Sequence, residues 1–100
     1  MDNPLDLYIH SYYTGKDIQW DQAKNDRLKS ERGASFEEIV LWRLLAVIVH
    51  PQRPAQRIIL LLQGDYVWAV PCVVGETNVF LKTLFPNRKY TRLWLKGELI

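Results

Sequence analysis

The segment His50-Pro51-Gln52-Arg53-Pro54-Ala55-Gln56 carries two prolines, and the hydrophobic pattern changes across it. Three apolar runs follow, separated only by short turn signals. Arg57-Ile58-Ile59-Leu60-Leu61-Leu62 precedes Gln63-Gly64-Asp65. Tyr66 to Val74, rich in β-branched and aromatic residues, precedes Gly75-Glu76-Thr77-Asn78. Val79 to Phe85 then alternates, with Val79, Leu81, Thr83 and Phe85 on one face and Phe80, Lys82 and Leu84 on the other. Runs of this kind between glycine-bearing turns read as strands, and they predict a three-stranded antiparallel meander. Pro71 falls inside the middle strand, where a proline must sit at a bulge or near the strand end. Beyond it, Asn87 to Leu99 reads as a helix with Arg88, Arg92 and Lys96 four apart in one basic stripe.

On the N-terminal side the punctuation is helical. Ile18-Gln19-Trp20 predicts a short strand with Ile18 and Trp20 on one face. Asp21 is a good N-cap for a helix through Arg32, and Gly33 stands where a left-handed residue would end it. Ser35 and Glu38 fit a capping box, and Glu37 and Glu38 suit the positive end of a second helix. That helix is expected to run from Phe36 to Val49, apolar nearly all round and therefore the most buried element. It is expected to stop before Pro51, since the residue preceding a proline is pushed out of the helical region. Residues 1–15 read as an N-terminal arm, with Leu7, Tyr8 and Ile9 available as an edge strand and Tyr12-Tyr13 as groove-packing aromatics. Residues 16–100 read as a single domain. The architecture expected is α+β: an N-terminal strand and two helices, a three-stranded antiparallel meander and a C-terminal helix, with helices on one face of the sheet.

Composition excludes several classes. The 100 residues are 48% hydrophobic and 24% charged, which suits one packed core rather than a disordered tail. Thirteen Lys and Arg against eleven Asp and Glu give a net charge of +2, which permits contact with a polyanion without requiring it. Cys72 stands alone, so no intrachain disulfide forms and a reducing, cytoplasmic compartment is expected. No basic-then-apolar leader opens the sequence. Eleven apolar residues from Ile39 to Val49 would span only about 16 Å as a helix, too short for a membrane. His10 and His50 have no ligand partners at metal-binding spacing, and no phosphate-cradling glycine loop or nucleophile elbow occurs. No cofactor and no metal are therefore expected.

The run Ile18-Gln19-Trp20-Asp21-Gln22-Ala23-Lys24-Asn25, then Leu28, Arg32-Gly33 and Ser35-Phe36-Glu37-Glu38, resembles the opening of the BrnT-like toxins. In that family a strand ending in Trp-Asp precedes a Lys-Asn-bearing helix, a basic residue before glycine, and a Ser-Phe-Glu helix start. Arg88-Lys89-Tyr90-Thr91-Arg92 is similar to the segment that follows the family's last strand. The resemblance spans about residues 16 to 96. It implies a RelE-like fold and the toxin role in a type II toxin–antitoxin pair: a small, metal-independent endoribonuclease that inhibits translation. It also implies a cognate antitoxin, acidic or of the ribbon-helix-helix type, that covers the active surface.

Metal-free RNA cleavage needs a base for the 2′-OH, cations for the developing phosphorane charge and an acid for the leaving oxygen. Arg88, which matches the family's arginine, is the first candidate for phosphate stabilisation, because the guanidinium fork fits phosphate oxygens. Lys82, placed among apolar strand residues, is a candidate base, and Arg57 a candidate contact to the scissile phosphate. Lys24, Arg32, Arg92 and Lys96 are candidate RNA-binding residues. His50 is of the side-chain type that titrates near neutrality, yet in a His-Pro step after a helix it is expected to cap carbonyl groups. Tyr66, Trp68 and Tyr90 are candidate base-stacking residues, although strand aromatics more often fill a core. Ser35, Glu37 and Glu38 are expected to be structural caps, and Cys72 an inert buried thiol. The competing reading is a non-catalytic antitoxin or nucleic-acid-binding module that keeps the toxin fold without turnover. Four tryptophans and the apolar arm also suggest a homodimer interface.

Overall fold

The computed structural model describes residues 7–99. The first six residues of the expected arm lie outside the described residues. The chain forms α1 (Ile9–Tyr12), β1 (Asp17–Gln19), α2 (Gln22–Arg32), α3 (Phe36–Ile39), β2 (Arg43–Val49), β3 (Arg57–Gln63), β4 (Tyr66–Val74), β5 (Asn78–Leu81), β6 (Phe85–Pro86) and α4 (Arg88–Leu95). The sheet order is β1-β5-β4-β3-β2, with β6 pairing β4. The β3-β4-β5 meander is antiparallel throughout, as the turn signals predict. β1 joins its far side in parallel, with Ile18 opposite Val79.

The punctuation around α2 works as read. Asp21 accepts the Lys24 N–H at 2.8 Å, and Gly33 ends the helix at φ +80°. Ser35 and Glu38 close the capping box at the start of α3. Between these helices Asn25, 3% exposed, acts as a pin. Its side-chain oxygen accepts the Phe36 N–H at 2.7 Å and its amide donates to Glu37. Trp20 stacks on Phe36, ring centroids 5.6 Å apart. The segment that carries the family resemblance is therefore a connected structural unit. Burial of Phe36 at 0% exposure contributes about 1.5–3 kcal/mol.

The long second helix does not form. α3 ends at Ile39, and Arg43 to Val49 is strand β2, antiparallel to β3. An all-round apolar run suits a strand covered on both faces as well as a buried helix, and periodicity does not separate the two. The β-branched end Val47-Ile48-Val49 and the pairing offered by β3 favour the strand. In β2 the side chains divide between two cores. Leu44 and Val47 join one, while Leu45, Ala46 and Ile48 join the other.

Helices cover both faces of the sheet, not one. On the first face Ile9 of α1, Leu28 of α2, and Phe36 and Ile39 of α3 pack with Ile59, Leu61, Val70, Cys72, Val79 and Leu81. The segment read as an arm thus contributes Ile9 and Tyr13 to this core, and Leu7 makes only a single bridge to Leu44 rather than an edge strand. On the second face Tyr90 and Trp94 of α4 pack over Ile58, Leu60, Val67 and Ala69. Thr91 anchors α4: its hydroxyl accepts the Val67 N–H at 2.8 Å and donates to the Asn87 carbonyl at 2.7 Å.

The strict alternation expected from Val79 to Phe85 breaks at one inserted residue. Cys72 pairs Leu81, yet Ala69 pairs Phe85, so four residues on one strand answer three on the other. The bulge flips the faces. Leu84 is buried with Val79 and Leu81 on the first face, and Phe85 packs on the second. Pro71 lies in β4 opposite Ile58, next to this irregularity.

Candidate nucleic-acid interface

Apart from Lys24, the cationic side chains singled out from the sequence separate into three places. The first lies at the end of the sheet where β3 begins. Arg57 lines a cavity of about 410 Å³ with Tyr12, Tyr13, Val47, Val49 and Val74. Its guanidinium bends back and donates to the Pro54 and Gln56 carbonyls at 3.1 and 3.2 Å. Beneath it, burial pushes the Tyr13 hydroxyl up to about 12 and the Cys72 thiol up to about 11. Both groups are thus neutral near pH 7, and Cys72 is a packed, protonated thiol.

The second place is the loop between β2 and β3. His50, Gln52, Arg53, Gln56, Lys82 and Thr83 line a cavity of about 280 Å³ beside Pro71. Lys82 is exposed rather than surrounded by apolar strand residues, because the bulge carries it out of the ladder beyond its amide bond to Pro71. His50 does not cap carbonyl groups with its ring. Its Nδ1 accepts the N–H groups of Gln52 and Arg53 at 3.1 and 3.2 Å. The two prolines hold the chain in the turn that aims these donors at the ring. Arg32, at the end of α2, contacts Thr83 of this lining. It donates to Thr83 Oγ1 at 3.2 Å and to the Leu84 carbonyl at 2.6 Å, with its guanidinium over the Phe85 ring.

The third place is α4. Arg88, Arg92 and Lys96, the stripe read from the four-residue spacing, border one groove of about 430 Å³ with Tyr66, Thr91 and Leu95. The groove floor is apolar, and its rim carries the three cations. α4 begins beside Val67, whereas the Lys82 amide bonds to Pro71. These two β4 residues are four apart, about 13 Å along the strand.

Arg57, Lys82 and Arg88, the candidate catalytic set, therefore line three different cavities. Arg88, Arg92 and Lys96 do come together in one groove, whereas Arg32 is linked to the Lys82 cavity only by its bond to Thr83. Lys24 stands half-buried on the first turn of α2 and lines none of the three cavities. Of the aromatic candidates only Tyr66 is exposed. Trp68 packs edge-on against Trp42, and Tyr90 belongs to the core under α4. Sequence reasoning missed Arg53 and Gln56. Their signal was the two-proline loop itself, which brings a histidine and an arginine three residues apart into one turn.

Among the described residues no group of three or more His, Cys, Asp or Glu side chains is placed to hold a metal ion. No helix of the described chain is long and apolar enough to cross a membrane. Compared with protein-family models, with curated proteins and with solved structures, the chain matches none of them.

Proposed function

We propose that this chain is the toxin component of a type II toxin–antitoxin pair, a metal-independent endoribonuclease of RelE-like fold that acts on RNA in the cytoplasm. The observation that carries the reading is the α4 groove, where Arg88, Arg92 and Lys96 stand on one rim beside the exposed ring of Tyr66. Cations at one-turn intervals follow a phosphate backbone, and an exposed tyrosine offers a stacking surface for a base. The resemblance of residues 16 to 96 to the BrnT-like toxins supports the same assignment. The cognate antitoxin is then the protein that covers this face and neutralises its charge.

Induced expression tests the proposal. Wild-type protein arrests growth and cleaves RNA in the presence of EDTA, and Arg88→Ala abolishes both while the circular dichroism spectrum is unchanged. A purified protein that leaves RNA intact both alone and in a translating extract overturns it. The separation of Arg57, Lys82 and Arg88 into three cavities favours a second reading, a module that binds RNA or an acidic partner without turnover. Under that reading RNA binding persists, growth continues and no cleavage is seen.

A further inference from the structure

The loop between β2 and β3 carries a second feature that the α4 groove does not explain. It is closed on itself: the His50 N–H donates to the Gln56 carbonyl at 3.1 Å and the Gln56 N–H to the Arg53 carbonyl at 2.8 Å. Within this closed turn His50 Nδ1 accepts two backbone N–H groups. A nitrogen that accepts has its lone pair in use, so the neutral ring carries its proton on Nε2. The ring is thus held on its Nδ1 side by the loop backbone, and the residue lines the cavity. Around that cavity stand Arg53, Gln56, Lys82 and Thr83, and among the described residues no carboxylate lines it. Arg32 braces Thr83 from α2.

We infer that this cavity is a binding site for a phosphate group of an RNA backbone, with Arg53 and Lys82 supplying charge and His50 Nε2–H a directed hydrogen bond. The chemistry of the lining fits such a ligand. A phosphodiester presents anionic oxygens and no donor, and the lining offers a guanidinium, an ammonium, an amide and a hydroxyl as donors. Its source as RNA rests on the proposed function, whereas the anion site itself rests on the geometry alone. A strand bound here and along α4 would be held at two points about 13 Å apart along β4.

Titration of the whole chain with inorganic phosphate, followed by amide resonances, tests the site. Saturable shifts are expected at residues 50–56 and at Lys82 and Thr83. Arg53→Ala and Lys82→Ala should each weaken binding about tenfold, the loss of one charge-assisted hydrogen bond. His50→Asn separates the two sides of the ring. The Asn oxygen takes the place of Nδ1, so the Gln52 and Arg53 amide resonances stay put while phosphate binds more weakly. No shift in the loop, or wild-type affinity in both Arg53→Ala and Lys82→Ala, overturns the site. A short single-stranded RNA should displace the phosphate; a failure to compete overturns the RNA assignment. Growth arrest and RNA cleavage without any phosphate response would leave the toxin reading standing and this inference fallen.

Discussion

The side-chain oxygen of Asn25 accepts the backbone N–H of Phe36 at 2.7 Å, tying the N-terminal part of α2 to the first residue of α3. The pair is buried, and the Asn25 amide is also used, on Glu37. Asn25→Ala leaves the buried Phe36 N–H without its side-chain acceptor. It should lower the unfolding free energy by about 2 kcal/mol, measured by urea denaturation. Asn25→Asp keeps the acceptor but sets a carboxylate against Glu37, so it should destabilise too, and more strongly at neutral pH than in acid.

Thr91 offers a parallel test on the opposite face of the sheet. Its hydroxyl bridges the Val67 N–H and the Asn87 carbonyl, and the residue is 6% exposed. Thr91→Val is nearly isosteric and removes the hydroxyl acceptor of the Val67 N–H, while the Asn87 carbonyl keeps the Thr91 N–H at 3.1 Å, so a loss of about 1–3 kcal/mol is expected. Thr91→Ser keeps the hydroxyl and should cost less. A Thr91→Val protein as stable as wild type would show that α4 does not depend on this bridge.

Acid should loosen the α2–α3 junction. The Asn25 amide holds the Glu37 carboxyl below the ordinary glutamate value, and Lys29 and Ser35 hold Glu38 below it. A carboxyl whose value is lowered on folding adds stability above its unfolded value and loses it as pH falls through the folded one. Denaturation midpoints should therefore drop as pH falls through the ordinary glutamate range, about 4.3, toward the lowered folded values. Glu38→Gln should flatten that slope, and an unchanged slope would remove the pair from the account.

Alkali acts on the first core in the opposite sense. Burial raises the Cys72 thiol to about 11, so the folded state holds that proton more tightly than the unfolded chain. The associated stability is complete below the ordinary thiol range and is lost as pH rises through about 11. Iodoacetamide should accordingly leave Cys72 unmodified at neutral pH until denaturant unfolds the chain. Rapid labelling of native protein would contradict the packing described.

RNA affinity should carry the signature of the α4 rim. Each cation that neutralises a phosphate contributes about 0.7 to the slope of log affinity against log salt for a single strand. Arg92→Ala and Lys96→Ala should each lower the slope by about that amount, while Tyr66→Ala weakens binding without changing it. A slope unchanged by either cation would move the interface away from α4.

The parts legible in the sequence were those fixed by short-range punctuation. Asp21, Gly33 and the Ser35–Glu38 box set the helix ends within a few residues, and Gly64 and Gly75 mark the meander turns. The Arg88, Arg92, Lys96 stripe followed from helical spacing once α4 was in place. The failures were matters of pairing. Leu44 to Val49 has no period that separates a strand covered on both sides from a buried helix, and only β3 decides between them. The extra residue between Leu81 and Phe85 leaves no mark in composition, yet it reverses which side chains enter the core. It also moves Lys82 out of the ladder to the rim of the loop cavity. The ring of His50 was assigned to the wrong partners for a similar reason, because its two donors come from a turn shaped by Pro51 and Pro54 together.

β1 lies alongside β5 in parallel, and the two are separated by most of the polypeptide. During synthesis the first strand must therefore wait, with Ile18 lacking its partner Val79, until β5 has been made. Contacts this distant along the chain also slow the search for the native arrangement. The nascent chain consequently completes its sheet only after β5 has cleared the ribosome.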